Sequence, residues 1–467
     1  MDLTAVLIAL SAILLIYIVI KIYKYLQKPT LKSLGIAHPK ALPIVGNMLP
    51  VFIGKRELLQ LVDDWYKEFS HHKIFGFYNT FGQFNIMVAD PDVIKQIAIK
   101  DFEYFVNRGP PLSDDIDRMF SRSLLLMHDQ KWKDMRTLLN PVYTSSKIKQ
   151  IYFMLRDCIT DFIDFYEKKA KSNGGEVEVE THETFSRITA DGIAASALGL
   201  KSDSTRNKES EIYKSANQID EDFSNPINFL ILAFAPFLFK LFKWQFFRKR
   251  LIDFFTETVL GEIKRRKANN IHKPDVIHQL IIAQDEKVKR NYGEAMVSGL
   301  RKWSDDDLVA QAFTMFLGGF QTTTGFMETT CYELAMNQDI QQTLIEEVDE
   351  MLTTLNGEEI SYDQLNEMKF LDMVTSEALR KWPSVQIAQR ICGKDYDLKT
   401  SDGKVYKIKK GTDFLFSFKT IHMDPKHFPN PEKFDPHRFS DENKANIVPG
   451  SYLPFGLVSL KFFVDFF

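Results

Sequence analysis

Residues 304–337 read SDDDLVAQAFTMFLGGFQTTTGFMETTCYELAMN. Ser304 is a natural N-cap, and Asp305, Asp306 and Asp307 put acids in the first turn, where the positive end of a helix dipole favours them. Apolar residues then recur around most of the circumference, so the helix is expected to be long, central and buried. Gly318 and Gly319 sit in its middle, followed by Phe320, Gln321, Thr322 and Thr323. Each glycine in a helix interior costs about 1 kcal/mol relative to alanine. A flat group lying against the backbone would offset that cost, as would a threonine hydroxyl that bends the helix. Close helix–helix packing through the glycines is the plainer explanation.

Downstream, SEALRKWP carries Glu377 and Arg380 three residues apart, on one helix face. Further on, FPNPEKFDPHRF carries Arg438. One carboxylate holding two guanidiniums would form a buried network that is expensive to leave half-built. Upstream, KWKDMR sets Trp132 and Arg136 on one face, an indole N–H beside a guanidinium, which is a good grip for a carboxylate. Arg108 in FVNRGPP and Arg390 in AQRIC lie next to apolar residues. Taken singly, each of these arginines reads as a solvated surface residue.

The chain has 467 residues, of which 45% are hydrophobic, enough for a sizeable core, and the 39 Phe suggest a greasy interior or substrate site. The net charge of -3 provides no global basic field, so nucleic acid is not an expected partner. Cys158, Cys331 and Cys392 are widely spaced, which suggests neither disulfides nor zinc and fits a reducing compartment. Residues 3–20 run without a charge, just long enough for a transmembrane helix. Lys21, Lys24 and Lys28 follow and should stay cytoplasmic, which makes a retained anchor a better reading than a cleaved signal peptide. Pro39, Pro43 and Gly46 then mark a stiff linker. Residues 227–247, apolar but broken by Pro236, Lys240 and Lys243, read equally well as a patch dipping into a membrane or as a buried helical hairpin. Helical periodicity dominates from about 115 to 380, and extended segments fall near 74–89 and 385–416. The expected architecture is mainly α with small β-sheets at the two ends. The charged stretches 201–215 and 263–275 read as exposed loops.

In combination these segments resemble the cytochrome P450 family, in particular its membrane-anchored animal type and the branch that handles drugs and other lipophilic compounds. The resemblance also takes in NPVYTSSKIK (140–149), Thr189, Asp191 and Gly199 in TADGIAASALG, IHMDPKHFPNPEKFDPHRF (421–439) and Pro454-Phe455-Gly456. It implies the cytochrome P450 fold, divided into an anchor (1–28), a Pro-rich linker (29–50), a catalytic domain (51–456) and a tail outside the family pattern (457–467). It implies haem b lying against Gly318 and Gly319, its propionates held by Trp132, Arg136, Arg390 and, less closely matched, Arg108. It makes Glu377, Arg380 and Arg438 a structural triad, and Thr322 the hydroxyl that helps deliver protons during oxygen activation. The implied reaction inserts one oxygen atom into a small lipophilic substrate, with electrons from an NADPH-cytochrome reductase at the endoplasmic reticulum membrane and the domain facing the cytoplasm.

Two departures qualify the expectation. Gln321 stands where the family usually carries an acid, and an amide cannot exchange a proton near neutral pH. After Phe455 the family pattern places glycine at 458, arginine at 460, the axial cysteine at 462 and glycine at 464; this chain has Val458, Leu460, Phe462 and Val464. The thiolate that tunes the iron is thus expected to be missing and the literal chain inactive. Val458-Ser459 can be encoded by a splice-donor consensus and 460–467 almost wholly by A and T, so the tail is read as translated intron. The alternative is a non-catalytic remnant that at most binds lipophiles or partners.

Overall fold

A computed structural model describes residues 11, 15, 16, 18–20, 30–273, 275–284 and 302–456. The expected anchor at 3–20 and the tail at 457–467 lie largely or wholly outside them. Among the described residues no helix is long and apolar enough to cross a membrane.

The chain is mainly helical with small sheets. Its helices include α1 (Leu58–Phe69), α2 (Asp129–Leu139), α3 (Ser145–Ser172), α4 (Thr181–Ile193), α5 (Glu211–Phe223), α6 (Pro226–Phe234), α7 (Phe237–Phe242) and α8 (Lys249–Asn269). They continue with α9 (Val276–Gln284), α10 (Asp305–Met336), α11 (Gln338–Leu355), α12 (Lys369–Lys381) and α13 (Phe418–His422). The strands are β1 (Ile74–Tyr78), β2 (Phe84–Val88), β3 (Ile387–Ile391), β4 (Tyr396–Lys399), β5 (Val405–Ile408) and β6 (Asp413–Ser417).

α10 starts as its sequence dictates. The Asp307 N–H donates to Ser304 Oγ at 3.2 Å, and the Ser304 N–H donates back to the Asp307 carboxylate at 3.1 Å, a capping box. The helix is buried from Asp307 to Phe316, packed against α4 and α8. It is not buried throughout, as its apolar character suggested: Tyr332 and Met336 are exposed near its end. Gln311 ties it to the preceding chain, accepting from the Leu124 N–H at 3.0 Å and donating to the Arg122 carbonyl at 2.8 Å.

The two extended regions do not form separate end sheets. β2 pairs in parallel with β6, giving one four-stranded sheet in the order β1-β2-β6-β3, while β4 and β5 form a small hairpin sheet. An apolar cluster covers this sheet, including Phe75, Phe77 and Phe414, and a second, larger cluster joins the helices. An isolated bridge between Asn107 and Ile391, with the Ile391 N–H donating to the Asn107 carbonyl at 2.8 Å, sets Arg108 beside the end of β3.

The charged stretches at 201–215 and 263–275 are not wholly exposed loops. Asp191 accepts from the Ser204 N–H (2.7 Å) and from the Thr205 N–H and hydroxyl (3.0 and 3.1 Å), which buries that turn. α8 runs on to Asn269, and Arg266 lies buried between Glu262 (2.6 Å) and Asp275 (2.6 Å). Charge composition signalled solvent, but neighbouring carboxylates satisfy the charge internally. Gly199 closes this arrangement at φ +65°, where a Cβ would collide with the Arg266 guanidinium and the Asp275 carboxylate. Gly199→Ala is therefore expected to destabilise by at least about 2 kcal/mol, from left-handed strain plus a disturbed buried ion pair, read as a lowered urea midpoint.

Candidate functional site

Gly318, Thr322 and Phe326 follow each other at four-residue spacing, so they form one stripe along α10. That stripe is a wall of a cavity of about 250 Å³. Thr375 and Leu379 of α12, Val385, and Pro454-Phe455 provide other walls, and Arg108 reaches into its rim. The lining is almost entirely apolar apart from Arg108 and a few hydroxyls. The Thr322 hydroxyl donates to the Gly318 carbonyl at 2.5 Å, one turn back. Ser384 Oγ donates to the Thr322 carbonyl at 3.2 Å, a tie between positions 62 residues apart that no local pattern signals.

At the rim, like charges converge. Arg108 lies over the Trp132 ring at 5.1 Å from its centroid. Burial, together with the neighbouring charges of Arg390 and Arg136, holds the Arg108 guanidinium well below its usual pKa. Burial alone pushes Arg390 down to about 10. Arg136 and Trp132 are buried on α2. Neither Arg108 nor Arg390 is the solvated surface residue that each resembled in isolation. Arg108 Nε and Trp132 Nε1 are buried and have no hydrogen-bond partner among the described residues. Unsatisfied donors beside gathered positive charge require an anion. Carboxylates at the edge of a flat apolar group would meet that need, so these residues fit haem propionates.

Two candidates stand elsewhere. Gly319 is buried outside the cavity lining, and Gln321 is exposed on another face of α10. Gln321 meets Asp220 of α5, whose carboxyl burial pushes up to about 6 against the lowering effects of His182 and of the Gln321 hydrogen bond. The position beside Thr322 lacks a carboxyl, but one lies across from it on the neighbouring helix.

Behind the cavity, Glu377 accepts from Arg380 Nε at 2.7 Å and Nη2 at 2.9 Å, and from the Asp435 N–H at 2.9 Å. Arg438 Nε approaches the same carboxylate at 3.4 Å, and its Nη atoms donate to the Pro429 and Asn430 carbonyls. Arg380 also donates to the carbonyls of His422 and Pro431. His422, which the sequence reading passed over inside IHMDPKH, completes the set. The Leu453 N–H can only donate, so His422 Nε2 accepts it (2.7 Å), and Nδ1–H donates to the Arg380 carbonyl (3.0 Å). With the Tyr452 hydroxyl on the Ser376 carbonyl (3.0 Å), this fixes the segment that carries Pro454-Phe455 to the cavity.

No thiol belongs to this site. Cys158 lies on α3 and Cys331 is exposed on α10. Cys392 is buried beyond β3, where its thiol donates to the Lys394 carbonyl and burial pushes it up to about 11. The positions where the family pattern would resume lie outside the described residues.

The sequence model of the family described as cytochrome P450 matches residues 36–457. Among curated proteins, "Probable cytochrome P450 9f2" of Drosophila melanogaster is 37% identical over 438 residues, covering 91% of this chain and 83% of that protein. Cytochrome P450 9e2 of Blattella germanica is 34% identical over 434 residues (89% and 80%), and cytochrome P450 6k1 of the same insect is 31% identical over 436 residues (91% and 81%).

Proposed function

Because this chain belongs to the cytochrome P450 family, whose cofactor is haem and whose activity is monooxygenation, we propose that it oxidises small lipophilic molecules with electrons from an NADPH-cytochrome reductase. The observation that carries the reading is the cluster of Arg108, Trp132, Arg136 and Arg390 at the rim of an apolar cavity walled by Gly318 and Thr322.

When bound, haem supplies the redox chemistry that places one atom of dioxygen on a substrate. The chain's own residues do the rest. The rim arginines and the Trp132 N–H would orient the group through its propionates. Gly318 has no side chain to push it from α10. Apolar walls exclude water and favour an apolar substrate. Thr322 holds a hydroxyl proton at the cavity wall, and with Gln321 beside it, proton supply has to come through water or a more distant acid.

The anchor at 3–20, with Lys21, Lys24 and Lys28 behind it, supports placement on the endoplasmic reticulum membrane with the domain in the cytoplasm. The outward apolar side chains Ile227, Phe229, Leu241 and Phe242 of α6 and α7 support a second contact with the bilayer and favour the membrane patch over a buried hairpin. We further propose that the 467 residues alone do not ligate haem through a thiolate, because none of the three cysteines faces the cavity. That observation also favours the second reading, a non-catalytic binder of lipophiles.

Haem titration of the purified chain tests both proposals. Arg108→Ala and Trp132→Phe should each weaken haem binding about tenfold or more, since each removes a donor to a charged group. Unchanged affinity in both would remove the propionate assignment. The ferrous carbon monoxide adduct should lack the red-shifted thiolate band; its presence would restore catalysis to this chain and dismiss the second reading.

A further inference from the structure

Arg108 stands apart from the other cations at the cavity rim. It pairs with no carboxylate among the described residues, and its Nε and the Trp132 Nε1 beside it are buried donors without an acceptor there. Arg390, whose charge is felt at Arg108, gives one of its donors to the Gln389 carbonyl at 2.9 Å. An unpaired cation among like charges is costly to bury, so a molecule that fills this place must bring a negative charge. A carboxylate suits it in shape. Its two oxygens match the planar fork of a guanidinium, and one of them can also accept the indole N–H.

Behind that rim the walls are apolar. From Gly318 to Phe326 the α10 stripe covers two turns and a little more, about 12 Å, with Leu379, Val385 and Phe455 around it. A cavity of about 250 Å³ suits a slim chain. Burying an alkyl chain there strengthens binding about fourfold for each methylene removed from water. A cationic mouth and an apolar slot are what haem would use, but haem is not alone in combining a carboxylate with an apolar body. No cysteine among the described residues faces the cavity, so these residues grip the cofactor through its propionates and faces and not through sulfur. A simpler amphiphile competes for the same two features.

We propose that this site binds a medium-chain fatty acid in place of haem, with the carboxylate on Arg108 and the Trp132 N–H and the alkyl chain along Gly318 and Thr322. The inference rests on the reading of the rim as an anion cradle at an apolar cavity. It differs from that reading in the occupant: the fatty acid lies where the cofactor would lie, not where a substrate would, and the two exclude each other. Occupancy by one therefore sets how readily the chain takes up the other.

Calorimetric titration of the purified 467-residue chain, before haem is added, tests it with octanoate, octan-1-ol, octylammonium and octyl phosphate. Octanoate should bind at least about tenfold more tightly than octan-1-ol, and octylammonium should not bind measurably. Hexanoate should bind at least about fivefold more weakly than octanoate. Arg108→Gln should weaken octanoate about tenfold or more and octan-1-ol less than about twofold, the alcohol reporting that the cavity survives the substitution. Should Arg108→Gln lose octan-1-ol as well, Trp132→Phe decides, with an expected loss of about threefold for octanoate alone. Octanoate should also raise the apparent Kd for haem in proportion to its concentration. Octanoate no tighter than octan-1-ol, octanoate indifferent to the substitutions, octyl phosphate tighter than octanoate, or haem uptake indifferent to octanoate overturns the inference. If Arg108→Ala and Trp132→Phe weaken haem while octanoate ignores both, the inference alone falls. If they leave haem affinity unchanged too, the anion cradle falls with it.

Discussion

Glu377→Ala should cost this protein about 3–5 kcal/mol, enough to remove its cooperative urea transition or its soluble expression. The carboxylate and the Arg380 guanidinium are both completely buried. Removing the carboxylate takes away three short bonds, two from Arg380 and one from the Asp435 N–H, and leaves the Arg380 cation with the carbonyls of His422 and Pro431, the Met423 sulfur and the Phe428 ring, none of which carries a neutralising charge. An uncompensated buried cation is penalised far more than the net worth of the pair. Arg438→Ala should do less damage, because Arg438 stands at 3.4 Å from the carboxylate and mainly braces the Pro429 and Asn430 carbonyls. Comparable losses from the two variants would mean that the network is held by the downstream loop and not by Glu377.

Acid should unfold the protein partly through His422. Burial pushes its pKa down to about 3 from 6.5; the bond to the Arg380 carbonyl opposes this, and the charges of Arg380 and Lys419 add to the lowering. The unfolded chain takes up this proton below about 6.5, while the folded chain refuses it until about 3. The stabilisation is thus complete above 6.5 and is lost as pH falls through that window, by up to about 5 kcal/mol at 1.36 kcal/mol per pH unit. Asp117 and Asp220, both raised to about 6, act in the opposite sense, since protonation between 6 and 3.8 favours the folded form. The measurement is therefore a difference. His422→Gln can still accept the Leu453 N–H and donate to the Arg380 carbonyl, yet has no proton to take up. Its stability should fall less than that of the wild type between pH 7 and pH 4, by about 3 kcal/mol in urea titrations. Parallel pH profiles would assign acid lability to other groups.

Much of the site could be read in advance. Glu377 and Arg380 are one turn apart on one helix, and Gly318, Thr322 and the capping box of Ser304 and Asp307 are likewise local patterns, fixed by the helical period. His422 was missed because a lone histidine carries no local signature, and its role depends on Leu453 and Arg380, 31 and 42 residues away. The stretch 263–275 was misread for a related reason: its charges looked solvated until Asp275 and Glu262 enclosed Arg266.

Local pattern and composition carry the long glycine-bearing helix, the residue types available to grip an anion, the missing acid at Gln321, and the family these share. Closure of the core sets what no local pattern carries: β2 lies parallel to β6, the Asn107–Ile391 bridge puts Arg108 beside Arg390, and His422 meets Leu453 and Arg380. The difference is one of range. Periodicity and capping act over a few residues and leave a local trace, whereas a register or a buried group's partner is chosen by segments from nine to more than three hundred residues apart, once the core has closed around them.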